Sequence, residues 1–351
     1  MKKIITTLLI ALVLVVSFVC PESSFAKDKF KIAWSHYTGW EPYAYMVSSG
    51  ILKKHAEKQG IEIEVILVND YIESINIYTA GEVDGCTMTN MDALTIPAVG
   101  GVDSTALIVG DFSNGNDGIV SKVAKDVKGL SGKKVMLVEL SVSHYLLARA
   151  LDMNGIKEKD LTVVNTSDAD IASIFSTDKE GSVVTWNPPL MTVRNEPDAK
   201  LLFDSSQIPG EIIDMLVVRT NAPDSLKKAM VGAWFETMTV MSAHDKKAKE
   251  AISEMATSAG GTVAEFEAQL KTTAMFYKPK EAVDFVKGDD VKKTMEYVRT
   301  FSFDHGLYGD GAPDKDLVGI AFPDDKVIGD KNNIKLRFDS KFMNMAAEGK
   351  L

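Results

Sequence analysis

Acidic and aromatic side chains occur together in the short segments that follow the predicted strands. The acidic residues are Glu41, Asp70, Glu73, Asp92, Asp111, Asp117, Glu211 and Asp214. The aromatic residues are Trp34, Tyr37, Trp40, Tyr43 and Trp186. An aromatic face attracts a desolvated cation by about 0.5 to 2 kcal/mol, and a carboxylate can accept two parallel hydrogen bonds from a planar guanidinium. These residue types predict a site for a small cation, with Asp92 or Glu41 as the carboxylate that accepts both bonds.

Basic side chains are scarce in the same segments, where His36 and His144 are the only candidates. A site for nitrate or a sulfonate needs arginine, lysine or a free helix N-terminus directed at the anion. Buried carboxylates are costly without a cationic partner. The charge of these segments therefore favours a cationic ligand over an anionic one.

Polar residues near the predicted helix starts and turns add further candidates for ligand contact. They are Thr89, Asn90, Asn114, Ser141, Ser143, His144 and Asn187. Structural roles remain open for many of the candidates, because such residues also cap helices and form turns. Core packing is the alternative for Trp34 and Trp186, and a solvated hinge position is the alternative for Glu211 and Asp214.

Catalysis is not expected from this sequence. His144 with Ser141 or Ser143 resembles part of a hydrolase site, but serines this close to a histidine at a helix start are typical of capping. The G-x-S-x-G, H-E-x-x-H, paired C-x-x-C and phosphate-binding G-x-x-x-x-G-K-[ST] motifs do not occur. We therefore predict a binding protein, with no catalytic residues, no metal site and no cofactor.

The elements that would position these residues alternate as short β-branched runs and helical stretches, which is typical of an α/β fold. Strands are predicted at 30–34, 61–68, 83–88, 105–110, 135–140, 161–165, 181–186, 201–204 and 215–218, and the helices include 42–60, 70–81 and 143–155. Ligands of such sheets bind beyond the carboxyl ends of the strands. The candidate residues follow those ends.

Two polar segments, 111–118 and 205–211, bracket a self-contained α/β unit. We interpret them as two crossings between lobes, with lobe 1 at 27–111 and 216–351 and lobe 2, including the crossings, at 112–215. Each lobe is expected to be a mostly parallel sheet flanked by helices. This arrangement predicts a type II clamshell that closes on its ligand by hinge motion. The chain after Asp324 shows little core-forming pattern.

The N-terminal segment 1–26 has the pattern of a signal peptide. Lys2 and Lys3 precede an apolar run at 4–19, and Ser24 and Ala26 place small residues where cleavage after Ala26 is expected. A membrane anchor would need about 20 apolar residues, and lipid attachment through Cys20 is a less favoured alternative. We predict a periplasmic or extracytoplasmic protein that is soluble after cleavage.

Loss of that segment would leave Cys86 as the one cysteine, so no internal disulfide is expected. The net charge of −10 argues against nucleic acid as a partner. A monomer that binds a small-molecule solute is the simplest expectation for an acidic, two-lobed protein of this length.

Several motifs resemble those of the nitrate, sulfonate and taurine receptors of ABC importers. They are Tyr71-Ile72-Glu73-Ser74-Ile75, Thr87-Met88-Thr89-Asn90-Met91-Asp92, Gly132-Lys133-Lys134-Val135 and Ser141-Val142-Ser143-His144. The resemblance implies a periplasmic-binding-protein clamshell that delivers its solute to an ABC permease and its ATPase.

Within this superfamily, the segments 90–118 and 164–170 are most similar to the branch associated with urea carboxylase. That resemblance implies a solute of the urea or guanidine type. Two alternatives stay open: a receptor for a sulfonate, taurine or nitrate anion, and a ligand sensor for a membrane receptor.

Overall fold

The computed structural model describes residues 27–351. The predicted signal peptide, its cleavage site and Cys20 lie outside the described residues, so those predictions stay predictions. In this part of the chain, the structure contains no helix that is both long and apolar enough to cross a membrane.

Most of the strands lie where the β-branched runs predicted them. In chain order they are β1 (Lys29–Trp34), β2 (Glu62–Leu67), β3 (Gly85–Thr89), β4 (Ser104–Phe112), β5 (Asp117–Ser121), β6 (Lys134–Leu137), β7 (Thr162–Asn165), β8 (Ser182–Trp186), β9 (Lys200–Asp204), β10 (Ile213–Arg219), β11 (Gly319–Ala321), β12 (Val327–Ile328) and β13 (Ile334–Phe338).

The helices cover both sheets and continue the chain after β10. They are α1 (Pro42–Ser48), α2 (Ile51–Lys58), α3 (Tyr71–Ala80), α4 (Asn90–Ala93), α5 (Val142–Met153), α6 (Asp168–Thr177), α7 (Pro189–Arg194), α8 (Asp224–Met241), α9 (Lys246–Ser258), α10 (Val263–Leu270), α11 (Pro279–Lys287), α12 (Asp289–Asp304) and α13 (Lys341–Ala347).

Two sheets organise the molecule, as the two-lobed α/β fold class requires. The first has the order β12-β11-β13-β4-β10-β3-β1-β2 and the second has the order β7-β6-β8-β5-β9. The strands β5 and β10 run antiparallel to both of their neighbours. Apart from the short β11–β12 hairpin, the remaining pairs are parallel. The antiparallel strands β5 and β10 are thus the first strands after each crossing, and apart from the β11–β12 hairpin the rest of both sheets is parallel.

Local capping explains several helix boundaries. The Asp70 side chain accepts a hydrogen bond from the Glu73 backbone N–H at the start of α3, and Gly81 ends that helix in a left-handed conformation. The prediction of a single helix at 42–60 was wrong, because the segment forms two helices. Gly50 has φ +77° and divides it into α1 and α2.

The first interlobe crossing is shorter than the predicted polar segment, and the second is one residue longer. Strand β4 continues through Asp111 to Phe112, and the unpredicted strand β5 begins at Asp117, so the first crossing is 113–116. The second crossing runs from 205 to 212 before β10. Because Asp111 pairs with Asp214 and Asp117 pairs with Trp186 across neighbouring strands, these acidic residues lie at strand ends and not in loops.

The expectation of little core-forming pattern after Asp324 was wrong. Strand β13 inserts between β11 and β4 in the first sheet. Leu336 and Phe338 of β13 and Phe342 and Met343 of α13 are buried. The strand alternates polar and apolar residues, so its inward side chains complete the core although the segment is charged.

Candidate ligand-binding site

A small cavity lies between the two sheets, at the ends of the crossing strands. The space in it that is open to a water-sized molecule is about 10 Å³. It is lined by Tyr37, Trp40, Tyr71, Thr89, Asp117, Val142, Trp186 and Asp214. Each of these residues is at most 4% exposed. The open space is about the room that one water molecule needs, so the cavity is nearly filled by its own side chains.

Four aromatic rings in contact with one another form most of the wall. The centroids of Tyr37 and Trp40 are 5.0 Å apart, and those of Trp40 and Tyr71 are 5.6 Å apart. The Tyr71 and Trp186 rings meet edge to face at 5.3 Å. Trp186 comes from the second sheet, and its Nε1–H donates to the carbonyl oxygen of His36 at 3.1 Å. The aromatic wall therefore spans both lobes and includes one hydrogen bond between them.

Buried carboxylates face or adjoin this aromatic wall. Asp117 and Asp214 line the cavity, while Asp111 and Asp92 lie behind its surface. The Tyr37 hydroxyl donates to Asp111 Oδ1 at 3.1 Å. One oxygen each of Asp92, Asp111 and Asp214 is buried without a hydrogen-bond partner in the described residues. Such oxygens are unusual in a folded protein, because a buried acceptor normally finds a donor.

Burial sets the protonation of these groups. Desolvation raises the pKa of Asp111 and of Asp117 to about 7 and that of Asp92 to about 6. Desolvation also raises the pKa of Asp214 well above its usual range, and the charges of Asp111 and Asp117 raise it further. No cationic side chain of residues 27–351 is among the groups that act on these carboxylates. The site thus gathers carboxyl groups that burial makes easy to protonate and that no cationic side chain of the described residues neutralises.

Asp92, one of the two carboxylates expected to bind the cation directly, accepts hydrogen bonds from protein groups. Its Oδ2 accepts from the Tyr71 hydroxyl at 2.6 Å and from Thr89 Oγ1 at 2.9 Å. Thr89 is also the cap of α4, and its side chain accepts a hydrogen bond from the Asp92 N–H. Asp92 therefore positions the cavity-lining Tyr71 and Thr89.

The other expected carboxylate, Glu41, lies beside a histidine. His36 Nδ1 is 2.7 Å from Glu41 Oε1, and Glu41 is fully buried. Trp34 is buried next to the same histidine, with ring centroids 5.4 Å apart. Neither Glu41 nor Trp34 lines the cavity.

Two further candidates on the first-lobe side connect elements of the structure. Asp70 caps α3 and also accepts a hydrogen bond from Ser167 Oγ of the second lobe at 2.9 Å. The Asn90 side chain accepts from the Ile213 N–H at 2.9 Å and donates to the Glu211 carbonyl oxygen at 3.1 Å. Asp70 thus bridges the lobes, and Asn90 fixes the second crossing.

The candidates at the start of α5 are mainly structural. Ser141 caps the helix. His144 Nδ1 accepts from the Leu140 N–H at 3.1 Å, and its Nε2 is 3.0 Å from Glu158 Oε1. Ser143 is buried, and its hydroxyl has no partner in the described residues. Val142, which was not singled out from the sequence, is the residue of this turn that lines the cavity.

Glu211 is neutralised by a residue that the sequence pattern did not indicate. Arg149 Nε donates to Glu211 Oε2 at 2.8 Å and Arg149 Nη2 donates to Oε1 at 2.9 Å. The Tyr145 hydroxyl donates to Oε2 at 2.7 Å. Glu211 therefore forms an ion pair that joins the second crossing to α5.

The polar residues of the first crossing bind partners in other parts of the chain. Asn187 donates to the Asn116 side-chain oxygen, and Asn116 in turn donates to Thr273 Oγ1 at 2.9 Å. The Asn114 backbone N–H donates to the Thr272 carbonyl oxygen at 3.0 Å. Asn114 and Asn187 lie outside the cavity lining.

Sequence reasoning missed Tyr71 and Gly39. Tyr71 directly follows a capping aspartate at the carboxyl end of β2, a position that could have indicated it. A Cβ on Gly39 would collide with Asp111 Oδ2 and the Tyr37 ring. Glycine thus permits the close approach of the carboxylate and the ring. Residues 27–351 contain no cluster of three or more His, Cys, Asp or Glu arranged to hold a metal ion.

Part of the sequence is similar to a described protein family and to a curated periplasmic protein. Residues 55–196 match the family described as NMT1/THI5 like. A segment of 116 residues is 28% identical to the taurine-binding periplasmic protein of Escherichia coli (strain K12). That match covers 32% of this chain and 36% of the relative, so the chain spans about a third of the length of the curated protein it matches.

Solved structures are similar over a much larger part of the chain. The alkanesulfonate-binding protein SsuA from Xanthomonas axonopodis pv. citri, bound to MOPS, superposes with a TM-score of 0.67 at 15% identity, covering 83% of this chain and 96% of that one. The periplasmic nitrate-binding protein NrtA from Synechocystis PCC 6803 superposes with a TM-score of 0.65 at 14% identity, covering 92% and 89%. The fold is that of the periplasmic binding proteins, a two-lobed clamshell.

Proposed function

We propose that this chain is the extracytoplasmic solute-binding component of an ABC importer and that it binds a small cationic nitrogen compound of the guanidine type. The observation that carries the proposal is the set of buried carboxylates without a cationic partner, Asp111, Asp117 and Asp214, beside an aromatic wall. A bound cation would neutralise the acidic groups and lie against the rings.

The guanidinium ion matches the carboxylates and the aromatic lining of the cavity. It is planar and small, it donates hydrogen bonds in fixed directions, and it stacks on aromatic faces. Asp117 and Asp214 face the cavity from different lobes. A cation between them would therefore hold the clamshell closed through both carboxylates.

A neutral urea-type solute is the second candidate. Trp40 Nε1 is a buried donor without a partner in the described residues. Such a donor can bind the carbonyl oxygen of urea, whereas guanidinium has no acceptor to offer it. The carboxylates favour the cation, so a direct comparison of the two ligands discriminates between them.

An anion of the kind named for the similar proteins is the third possibility. Nitrate or the sulfonate group of taurine would place negative charge near Asp117 and Asp214 and would need those groups to be protonated. Like charges at close range repel strongly where water is excluded. We therefore expect such anions to bind weakly.

Calorimetric titration at pH 8 tests the proposal with guanidinium, methylguanidinium, urea, taurine and nitrate. We expect guanidinium to bind best and taurine and nitrate to bind weakly. Tight binding of an anion together with no binding of guanidinium would refute the cationic ligand. Tight binding of urea alone would favour the second candidate.

The matched variants are Asp214→Asn and Asp152→Asn. Asp214→Asn removes a cavity carboxylate while keeping its shape, and we expect it to weaken guanidinium binding by at least about tenfold, since breaking a desolvated charge pair costs several kcal/mol. Asp152 is exposed on α5, so Asp152→Asn makes the same substitution outside the cavity and should leave affinity unchanged.

The permease and ATPase partners and the monomeric state belong to the same proposal. Co-purification of the chain with a permease encoded beside it would support import. Co-purification with a membrane receptor kinase instead would support the sensor alternative.

A further inference from the structure

Two buried serines lie where the two interlobe crossings touch. Ser113 is on the first crossing and Ser205 begins the second, and both are fully buried. Their Oγ atoms are 2.7 Å apart. Ser113 Oγ is also 2.5 Å from Oδ2 of Asp117, which lines the cavity. A short chain of hydrogen bonds thus joins a ligand-facing carboxylate to both crossings.

Backbone groups limit how these hydroxyls can point. Ser205 Oγ accepts a hydrogen bond from the Gly115 N–H at 2.7 Å, and the Asp117 N–H is 3.4 Å away. An ionised carboxylate only accepts, so Ser113 must donate to Asp117 and Ser205 must donate to Ser113. A protonated Asp117 can donate to Ser113 instead. The orientation of both hydroxyls therefore depends on the charge of Asp117.

We propose that Ser113 and Ser205 are positioning residues that couple the charge of Asp117 to both interlobe crossings. The inference rests on the proposed function, because the bound cation is what keeps Asp117 ionised in the closed cleft. Hydrogen bonds to an ionised group are about twice as strong as neutral ones. An ionised Asp117 that is neutralised by a cation therefore holds the two crossings together through the serine pair.

The groups that face Asp117 determine when this coupling operates. They are Asp92 on α4, Asp111 on β4, Asp214 on β10 and Tyr37 after β1. All of them are neutral or negative. Without a cation, ionisation of Asp117 is opposed by repulsion from the other carboxylates, so the same bonds hold the crossings less firmly.

The second sheet provides a matched control. Ser121 and Ser182 form another buried serine pair, with their Oγ atoms 2.8 Å apart. Ser121 lies on β5, the strand that begins at Asp117, but neither serine of this pair hydrogen-bonds to Asp117. Ser182→Ala therefore removes one hydroxyl of a buried serine pair without touching the proposed coupling.

The test measures the Asp117 carboxyl titration by NMR and guanidinium affinity against pH for the full chain and its Ser113→Ala, Ser205→Ala and Ser182→Ala variants. The Ser113 hydrogen bond lowers the pKa of Asp117. We expect Ser113→Ala to move both midpoints upward by about one pH unit, as the loss of one charge-assisted bond implies. Ser205→Ala should move both midpoints upward by a smaller amount, and Ser182→Ala should leave both midpoints unchanged.

Hydrogen exchange gives the hinge readout. In the unmodified protein, we expect guanidinium to slow exchange of the Gly115 amide, and Ser205→Ala should abolish that slowing. Ser113→Cys retains a weak donor of similar size and should shift the Asp117 midpoint by less than Ser113→Ala does. An unchanged Asp117 midpoint in Ser113→Ala, or an equal shift in Ser182→Ala, would overturn the coupling.

Failure of the proposed function is distinguishable from failure of this inference. If guanidinium does not bind, the cationic ligand is refuted, yet the Asp117 titration in the ligand-free protein still reports whether Ser113 and Ser205 act on it. If guanidinium binds and the titration midpoint does not move in either variant, the coupling alone is refuted.

Discussion

Asp111 and Asp214 pair directly across β4 and β10, at the point where both interlobe crossings leave the first sheet. Both are buried, and one oxygen of each has no partner in the described residues. Two carboxylates this close cannot both ionise easily, so burial and mutual repulsion favour a shared proton. A cation that enters the cavity supplies the missing positive charge.

Guanidinium affinity should fall as the pH is lowered. Guanidinium stays charged across the whole range of interest, so the change comes from the protein. Asp117, which lines the cavity, has a pKa raised to about 7, and its protonation removes a carboxylate that would bind the cation. We expect affinity to fall about tenfold per pH unit below about pH 6. Calorimetry from pH 5 to pH 8 checks this, and a flat profile would contradict it.

The stability of the ligand-free protein should change in the opposite direction. The pKa values of Asp111 and Asp117 are higher in the folded state than the roughly 3.9 of an unfolded aspartate. The folded protein therefore retains protons that the unfolded chain has released. The contribution of these groups to the free energy of unfolding is greatest below about pH 4 and is lost as the pH rises to about 7.

Thermal unfolding with and without guanidinium measures this effect. The gain in melting temperature on adding guanidinium, at concentrations far below those that denature proteins, should be larger at pH 8 than at pH 5.5. Sodium chloride at the same concentration is the control. An equal gain at both pH values would contradict the linkage.

Trp40 should be needed for its aromatic face. Trp40→Leu removes a ring that contacts both Tyr37 and Tyr71, and we expect guanidinium affinity to fall by more than about 1 kcal/mol. Trp40→Phe keeps an aromatic face and should lose less. Circular dichroism confirms that each variant is folded. Equal losses in the two variants would show that ring stacking does not contribute.

Gly39 should tolerate no side chain. A Cβ at this position would push against Asp111 Oδ2 and the Tyr37 ring, so Gly39→Ala should displace the carboxylate and weaken guanidinium binding by at least about tenfold. Gly311→Ala is the control, since a Cβ there meets no atom within 4 Å. Calorimetry on both variants decides whether the close approach at Gly39 matters for binding.

The Arg149–Glu211 pair should stabilise the junction of α5 with the second crossing. Arg149 also lies over the Tyr297 ring, 4.6 Å from its centroid. Glu211→Gln removes the charge and leaves Arg149 partly buried without a counter-ion, so we expect the free energy of unfolding to fall by about 1 to 3 kcal/mol. Arg149→Lys keeps the charge but loses the two-pronged geometry and should cost less. Urea denaturation measures both, and no loss in Glu211→Gln would contradict the role.

The predictable part of the fold depends on interactions close along the chain. Alternating β-branched runs located most strands, and Asp70 and Gly81 were recognisable as helix boundaries because capping involves residues within a turn of each other. The acidic and aromatic bias of the strand ends was likewise visible. Strand β13 was not predicted, because its short alternating pattern lies within a charged segment. Its apolar side chains become buried only when the strand pairs with β11 and β4.

The sequence by itself determined that carboxylates and aromatic rings gather at the ends of α/β strands in an acidic chain. Only the tertiary structure decided which of them meet. It placed Asp117 and Asp214 in the cavity, directed Asp92 to Tyr71, and neutralised Glu211 with Arg149. The physical reason is that these partners are far apart in sequence, and sheet order together with lobe closure sets their distances.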